Sequence, residues 1–196
     1  MASTLYDLHT RWDLPASADR VWAVIADRRM SWPDWWPGCT ADGPPTATPS
    51  PEGTAGAPGG RAPRPGSLTG RSACLAFHAG PGYVLHLTIR PTSEQPGRFI
   101  EFDAEGDLCG HGRVALVPVA ADRTRVHIQC TVAPTPRWMV LLSPVAAPLF
   151  AGLHGRMMRR GEQGLRRILA AREAEDTPPP GRGRRDVSDP AASMLP

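Results

Sequence analysis

The sequence predicts an α+β fold in which an antiparallel sheet is covered on one face by a long C-terminal helix. Three observations predict it. Residues 83–90 alternate without a break, Tyr83, Leu85, Leu87 and Ile89 on one face and Val84, His86, Thr88 and Arg90 on the other. Similar segments follow at short spacing, each with one apolar and one polar face, so the sheet is expected to be covered on one side only. Near the C-terminus Phe150, Leu153, Met157, Gly161, Leu165 and Ile168 recur at steps of three and four. That stripe predicts an amphipathic helix about five turns long.

The elements are justified in chain order. Leu5–Leu14 alternates loosely and predicts a first strand. Ser17 is a good N-cap, although Arg20 stands where a capping-box glutamate would. Val21, Trp22, Val24 and Ile25 give the next helix an apolar face, and Pro33 is expected to end it by about Trp32. The turn that follows, Ser31–Cys39, reads SWPDWWPGC and holds three of the chain's six tryptophans and two prolines. From Ala41 to Gly70, 14 of 30 residues are proline or glycine, which predicts a disordered insert. Strands are then expected at 71–77, 83–90, 99–104, 112–119 and 125–132. In the last of these Val126, Ile128, Cys130 and Val132 share a face, opposed by Arg125, His127, Gln129 and Thr131. The segment 175–196, with its TPPPGRGRR run, reads as a disordered tail. Residues 1–174 therefore form one expected domain, with about 140 ordered residues, a common size for a single core.

Composition excludes several classes of function. All 22 basic residues are arginine and the formal net charge is +3, too little to argue for nucleic acid. The arginines at 156, 159, 160, 166 and 167 fit a solvated helix face instead. Cys39, Cys74, Cys109 and Cys130 are scattered without a C-x-x-C, so neither a zinc site nor a disulfide framework is indicated. The N-terminus lacks the charged start and apolar core of a signal peptide. The most apolar run, Trp138–Leu153, contains Pro144 and Pro148 and falls short of the roughly 20 residues that span a bilayer. The chain reads as cytoplasmic, with no integral membrane segment. No phosphate-binding loop, HExxH motif or nucleophile elbow is present, and no metal or other cofactor is expected.

Three local segments carry a resemblance: ASADRVWAVIADRRMSWPDWWPG near the N-terminus, the AEGDLCGHGR hairpin, and TPRWMVLLSPVAAPLFAGLHGRMMRRGEQGLRRIL. Together they resemble a bacterial subgroup of the START-like (SRPBCC) superfamily, which includes polyketide cyclase/dehydrase-type and lipid-transfer proteins. The resemblance implies a helix-grip fold, a curved antiparallel sheet wrapped around a long C-terminal helix with two short helices after the first strand. It says little of function, because the superfamily holds enzymes, carriers and receptors. The Pro/Gly insert departs from the pattern. So does Cys130, small where a bulkier residue is expected, which would enlarge a cavity.

The helix-grip resemblance also implies a cavity between sheet and helix, and a retained cavity is usually for a ligand. Its expected lining comes from Tyr83, Leu85 and Leu87 on one strand, Val114 on another, and Ile128 and Cys130 on the last. Phe150, His154, Met157 and Met158 are expected to face it from the helix. Trp32, Trp35 and Trp36 sit where one end should close, against Trp22 or Trp138. These rings either plug the core edge, each burying about 150–250 Å², or touch a ligand. His154 lies on the apolar stripe and has three available roles. It could bind a ligand oxygen, act as the general acid/base of an enzyme, or be a core histidine satisfied by a carbonyl or an indole N–H.

Asp107 is expected to shape its hairpin turn. Glu101 and Asp103 are expected on the solvent side, opposite Ile100 and Phe102. His127 is expected opposite Leu116, about 16 Å from His111, too far for a shared metal. The leading functional expectation is binding of a hydrophobic small molecule, a lipid or a polyketide-like aromatic. An aromatase/cyclase-like enzyme is the alternative. A third class, a module recruiting protein partners through its insert and tail, names no particular partner.

Overall fold

The computed structural model describes residues 5–47, 67–80 and 83–176, with backbone alone for 79–80 and 137–149. Strand β1 (Tyr6–Leu14) leads into helix α1 (Ala18–Ile25) and the single-turn α2 (Trp32–Trp35). Strands β2 (Cys39–Ala41), β3 (Thr46–Ala47), β4 (Arg71–Gly80), β5 (Tyr83–Gln95), β6 (Phe99–Gly106), β7 (Leu108–Ala120) and β8 (Arg123–Pro134) follow. Helix α3 (Arg137–Asp176) ends the described chain. The strands form one antiparallel sheet in the order β1-β8-β7-β6-β5-β4-β2, with β3 paired to β4. It curls around α3 as a half-barrel, the helix-grip arrangement.

Ser17 caps α1 as expected, its hydroxyl accepting from the Arg20 N–H at 3.5 Å. The helix stops earlier than its apolar pattern suggests. Asp27 ends it by an Asx turn, accepting from the Arg29 N–H at 3.0 Å and the Ser31 hydroxyl at 2.7 Å. Pro33 then lies in the first turn of α2, where its missing N–H has no helical partner to lose. It opens a helix rather than closing one.

All five strands expected after the insert run longer than the alternation predicts. β5 passes through Pro91 to Gln95 because a register shift between Pro91 and Ser93 accommodates the residue without an N–H. A second shift, between Pro118 and Ala120, moves His127 opposite Ala115 rather than Leu116. The insert is also narrower at its ends than residues 41–70. β2 and β3 pair with β4 there, and Leu68 is 1% exposed in the core, its N–H donating to Glu94 at 3.0 Å. Residues 48–66 and 177–196 lie outside the described chain, while α3 carries the ordered part to Asp176, past the expected boundary at 174.

The core lies between the concave face and the two helical layers. Leu14, Val21, Val24, Leu75, Val126 and Leu165 are fully buried there. The convex face is polar as expected: Glu101 pairs with Arg113 and Glu105 with Arg90, both at 2.8 Å. No helix among the described residues is long and apolar enough to cross a membrane.

Candidate functional site: an apolar cavity closed by tryptophans

The alternating faces of the strands and the stripe of α3 converge on a cavity of about 260 Å³. Its floor is the inward set of β5, Tyr83, Leu85, Leu87 and Ile89, with Leu85 and Leu87 in register with Phe77 and Leu75 of β4. Val114, Ile128 and Cys130 continue it across β7 and β8, and α3 roofs it with Phe150, His154, Met157 and Met158. All of these were expected at the wall except Phe77, Leu75 and Ile89.

One end is closed by indoles. Trp36 stacks on Trp35 at 5.6 Å and meets Trp12 edge-on at 5.5 Å, with Phe77 on its remaining side at 5.7 Å. Trp32 completes the group. α3 accepts this cluster because two of its residues have no side chain. A Cβ at Gly161 would stand 2.5 Å from the Trp36 ring, and one at Gly164 would overlap the Trp35 carbonyl oxygen. The notch therefore seats α2 directly on the helix backbone. Trp36 Nε1 donates to the Met157 carbonyl at 3.2 Å, and Trp32 Nε1 to the Ile25 carbonyl at 2.8 Å. Trp22 packs against the core but does not line the cavity, because the buried face of α1 is Val21, Val24 and Ile25 and Trp22 lies half-buried beside it. Trp138 belongs to the part of α3 whose side chains are not described.

Sequence reasoning missed Trp12. It is 2% exposed and lines the cavity with Tyr6 and Leu8. The signal was present, since these residues alternate along β1. Ile100, Phe102 and Ala104 of β6 also line the cavity; the first two were expected on the face opposite Glu101 and Asp103 but not at the wall.

Polar groups at the wall are few. His154 Nε2 lies 3.5 Å from the Thr10 hydroxyl, with the donor set by the tautomer. Burial holds its pKa below the usual imidazole value, so the neutral ring is favoured. Burial pushes the Cys130 thiol up to about 11, which leaves it protonated and unreactive at neutral pH. At the β6–β7 hairpin, Tyr83 donates to Asp107 at 3.3 Å, and the same carboxylate oxygen accepts from the His86 N–H at 2.9 Å. Asp107 thus fastens the hairpin to β5 as well as shaping it. Burial and then the Asp107 charge raise Tyr83 to about 12. No group of three or more His, Cys, Asp or Glu suited to a metal occurs among the described residues.

No protein-family model matches the chain, and no curated protein matches it. Solved structures do. A START superfamily protein from Mycobacterium smegmatis superposes with TM-score 0.58 at 14% identity, over 84% of this chain and 97% of that one. The Zhui aromatase/cyclase of a Streptomyces species gives 0.54 at 14%, over 88% and 94%. Norcoclaurine synthase from Thalictrum flavum gives 0.52 at 13%, over 88% and 99%. At these identities the likeness is one of fold: the chain has a START-like, SRPBCC-type helix-grip fold.

Proposed function

We propose that this protein binds a hydrophobic small molecule, a lipid or a polyketide-like aromatic, in the cavity between sheet and α3. The observation that carries the reading is a cavity of about 260 Å³ with a nearly unbroken apolar wall, kept open in a core that could have packed shut. Ligand pockets of globular proteins hold roughly 300–1,000 Å³ and combine apolar walls with a few placed polar groups. Here His154, beside the Thr10 hydroxyl, is the placed polar group. The START-like fold of the chain supports the reading, and so does the small Cys130 on the wall. Native mass spectrometry of freshly purified protein tests it. A discrete extra mass that disappears on denaturing extraction is the expected result. A clean apo mass, together with failure to take up any of a panel of fatty acids and polycyclic aromatics, would overturn the reading.

His154 favours a second reading, an aromatase/cyclase-like enzyme. A neutral imidazole beside a hydroxyl can polarise a carbonyl or accept a proton from a chain held folded against it. Turnover of a poly-β-keto thioester that vanishes in a folded His154→Ala variant would establish this reading, and turnover that survives would remove His154 from it.

A further inference from the structure

Helix α3 changes character along its length. The stripe that lines the cavity with Phe150, Leu153 and Met157 continues backward along the helix through positions 146, 143 and 139, which hold Ala146, Ser143 and Met139. The solvent side of the later turns carries Arg156, Arg160, Gln163 and Arg167, all exposed. Counted backward at the same steps of three and four, that phase runs through Gly152 to positions 149, 145, 142 and 138. Those positions hold Leu149, Val145, Leu142 and Trp138. In its first three turns, then, α3 places its bulkier apolar residues on the phase that carries arginine further along. A helix that packs by one apolar side does the reverse.

The same stretch lacks acid. No aspartate or glutamate stands between Arg137 and Glu162. Glu162 holds Arg166 at 2.9 Å, and among the described residues no carboxylate pairs with Arg156, Arg159, Arg160 or Arg167. Leu5, 66% exposed, stands at the end of the sheet where α3 begins, one residue before Tyr6, which pairs with Val132 near the end of β8. We propose that this end of the protein docks on an anionic lipid surface. The apolar turns of 138–149 would lie among the headgroups, and the arginines of 156–167 would meet lipid phosphates. The stretch is too short to cross a bilayer but long enough to lie in its interface, where an apolar segment and neighbouring basic side chains act together. Charge selects this occupant: unpaired arginines are complementary to phosphate, whereas a second copy of the chain would bring a second set of unpaired arginines. The docking surface lies outside the cavity wall from Arg156 onward and does not depend on what the cavity holds.

Flotation of the full chain with vesicles of phosphatidylcholine, with and without about 30% phosphatidylglycerol, tests the proposal. The chain is expected to bind the anionic vesicles at least about tenfold more tightly, and to be weakened by salt. At about fivefold per arginine, Arg156→Gln/Arg160→Gln should lower that binding by about tenfold or more. Arg98→Gln/Arg123→Gln removes the same charge from exposed positions at the other end of the sheet, and should change binding by less than about threefold. Leu142→Glu should also weaken binding while far-UV dichroism is kept; should it not fold, the arginine pairs decide alone, since all four side chains are exposed. Equal losses in the two arginine pairs would reduce the effect to net charge and overturn the docking surface, as would failure of the full chain to float with either vesicle. A dimer in sedimentation velocity that Leu142→Glu dissociates, without vesicle binding, would overturn it in favour of a second copy of the chain.

Discussion

Two glycines of α3 give the same substitution opposite signs. Gly→Ala inside a helix ordinarily stabilises by about 1 kcal/mol, because alanine loses less backbone freedom on folding. At Gly152 nothing stands within 4 Å of the added Cβ, so Gly152→Ala is expected to show that gain, raising Tm by about 2–4 °C for a domain of this size. At Gly164 the Cβ would occupy the position of the Trp35 carbonyl oxygen and stand 2.9 Å from Pro37 Cδ. Main chain cannot swing aside as a side chain can, so α2 must lift off α3. Overpacking of this kind costs about 1–3 kcal/mol. Lifting α2 also exposes part of Trp35, whose full burial is worth roughly 4–6 kcal/mol at about 25 cal/mol per Å². After the helix gain is deducted, Gly164→Ala is expected to destabilise by about 2–4 kcal/mol, lowering Tm by about 4–16 °C. Thermal unfolding by far-UV circular dichroism measures both variants, and the near-UV tryptophan signal should weaken only in Gly164→Ala. If Gly164→Ala stabilises as Gly152→Ala does, α2 is not seated on the α3 backbone and the closed end of the cavity is misdescribed.

Other parts of the site respond in separate ways. Cys130→Phe places a large ring on the wall, so any native adduct or added aromatic probe should be lost while far-UV dichroism is kept; undiminished uptake would move the ligand elsewhere. Asp107→Ala removes the acceptor shared by the Tyr83 hydroxyl and the His86 N–H, and is expected to destabilise by about 1–2 kcal/mol in chemical denaturation. His154 has a pKa depressed below 6.5 by burial, so the unfolded chain takes up its proton first as pH falls. Stability should therefore decline with falling pH from about 6.5 down to the depressed pKa, and His154→Leu should flatten that slope in urea unfolding at stepped pH; an unchanged slope would show the imidazole is not buried neutral.

Much of this fold was legible because the period-two pattern is strong wherever one face of a strand is buried. β5 and β8 could be placed, and their inward residues named, from alternation alone. What was missed had no period to read. β2 and β3 have three and two residues, and Leu68 is a single apolar residue among prolines and glycines. Proline misled in both directions, since a bulge lets Pro91 sit inside a strand and the first turn of a helix lets Pro33 begin one. Asp27, rather than either proline, held the helix stop, through a side-chain hydrogen bond that a hydrophobic pattern does not record.

The candidate site was legible to a lesser depth for a related reason. Patterning names the residues that face inward, but it does not say which donors find acceptors inside the protein. Trp32, Trp35 and Trp36 are equivalent in the sequence, three indoles in one proline-bracketed turn. Folding separates them: the carbonyls of Ile25 and Met157 happen to lie under two of the N–H groups, and none lies under that of Trp35. Likewise Gly161 reads only as one member of the apolar stripe, when with Gly164 it is the reason a tryptophan turn can rest against α3. The closed end thus depends on a backbone notch in α3, a property that only the three-dimensional arrangement displays.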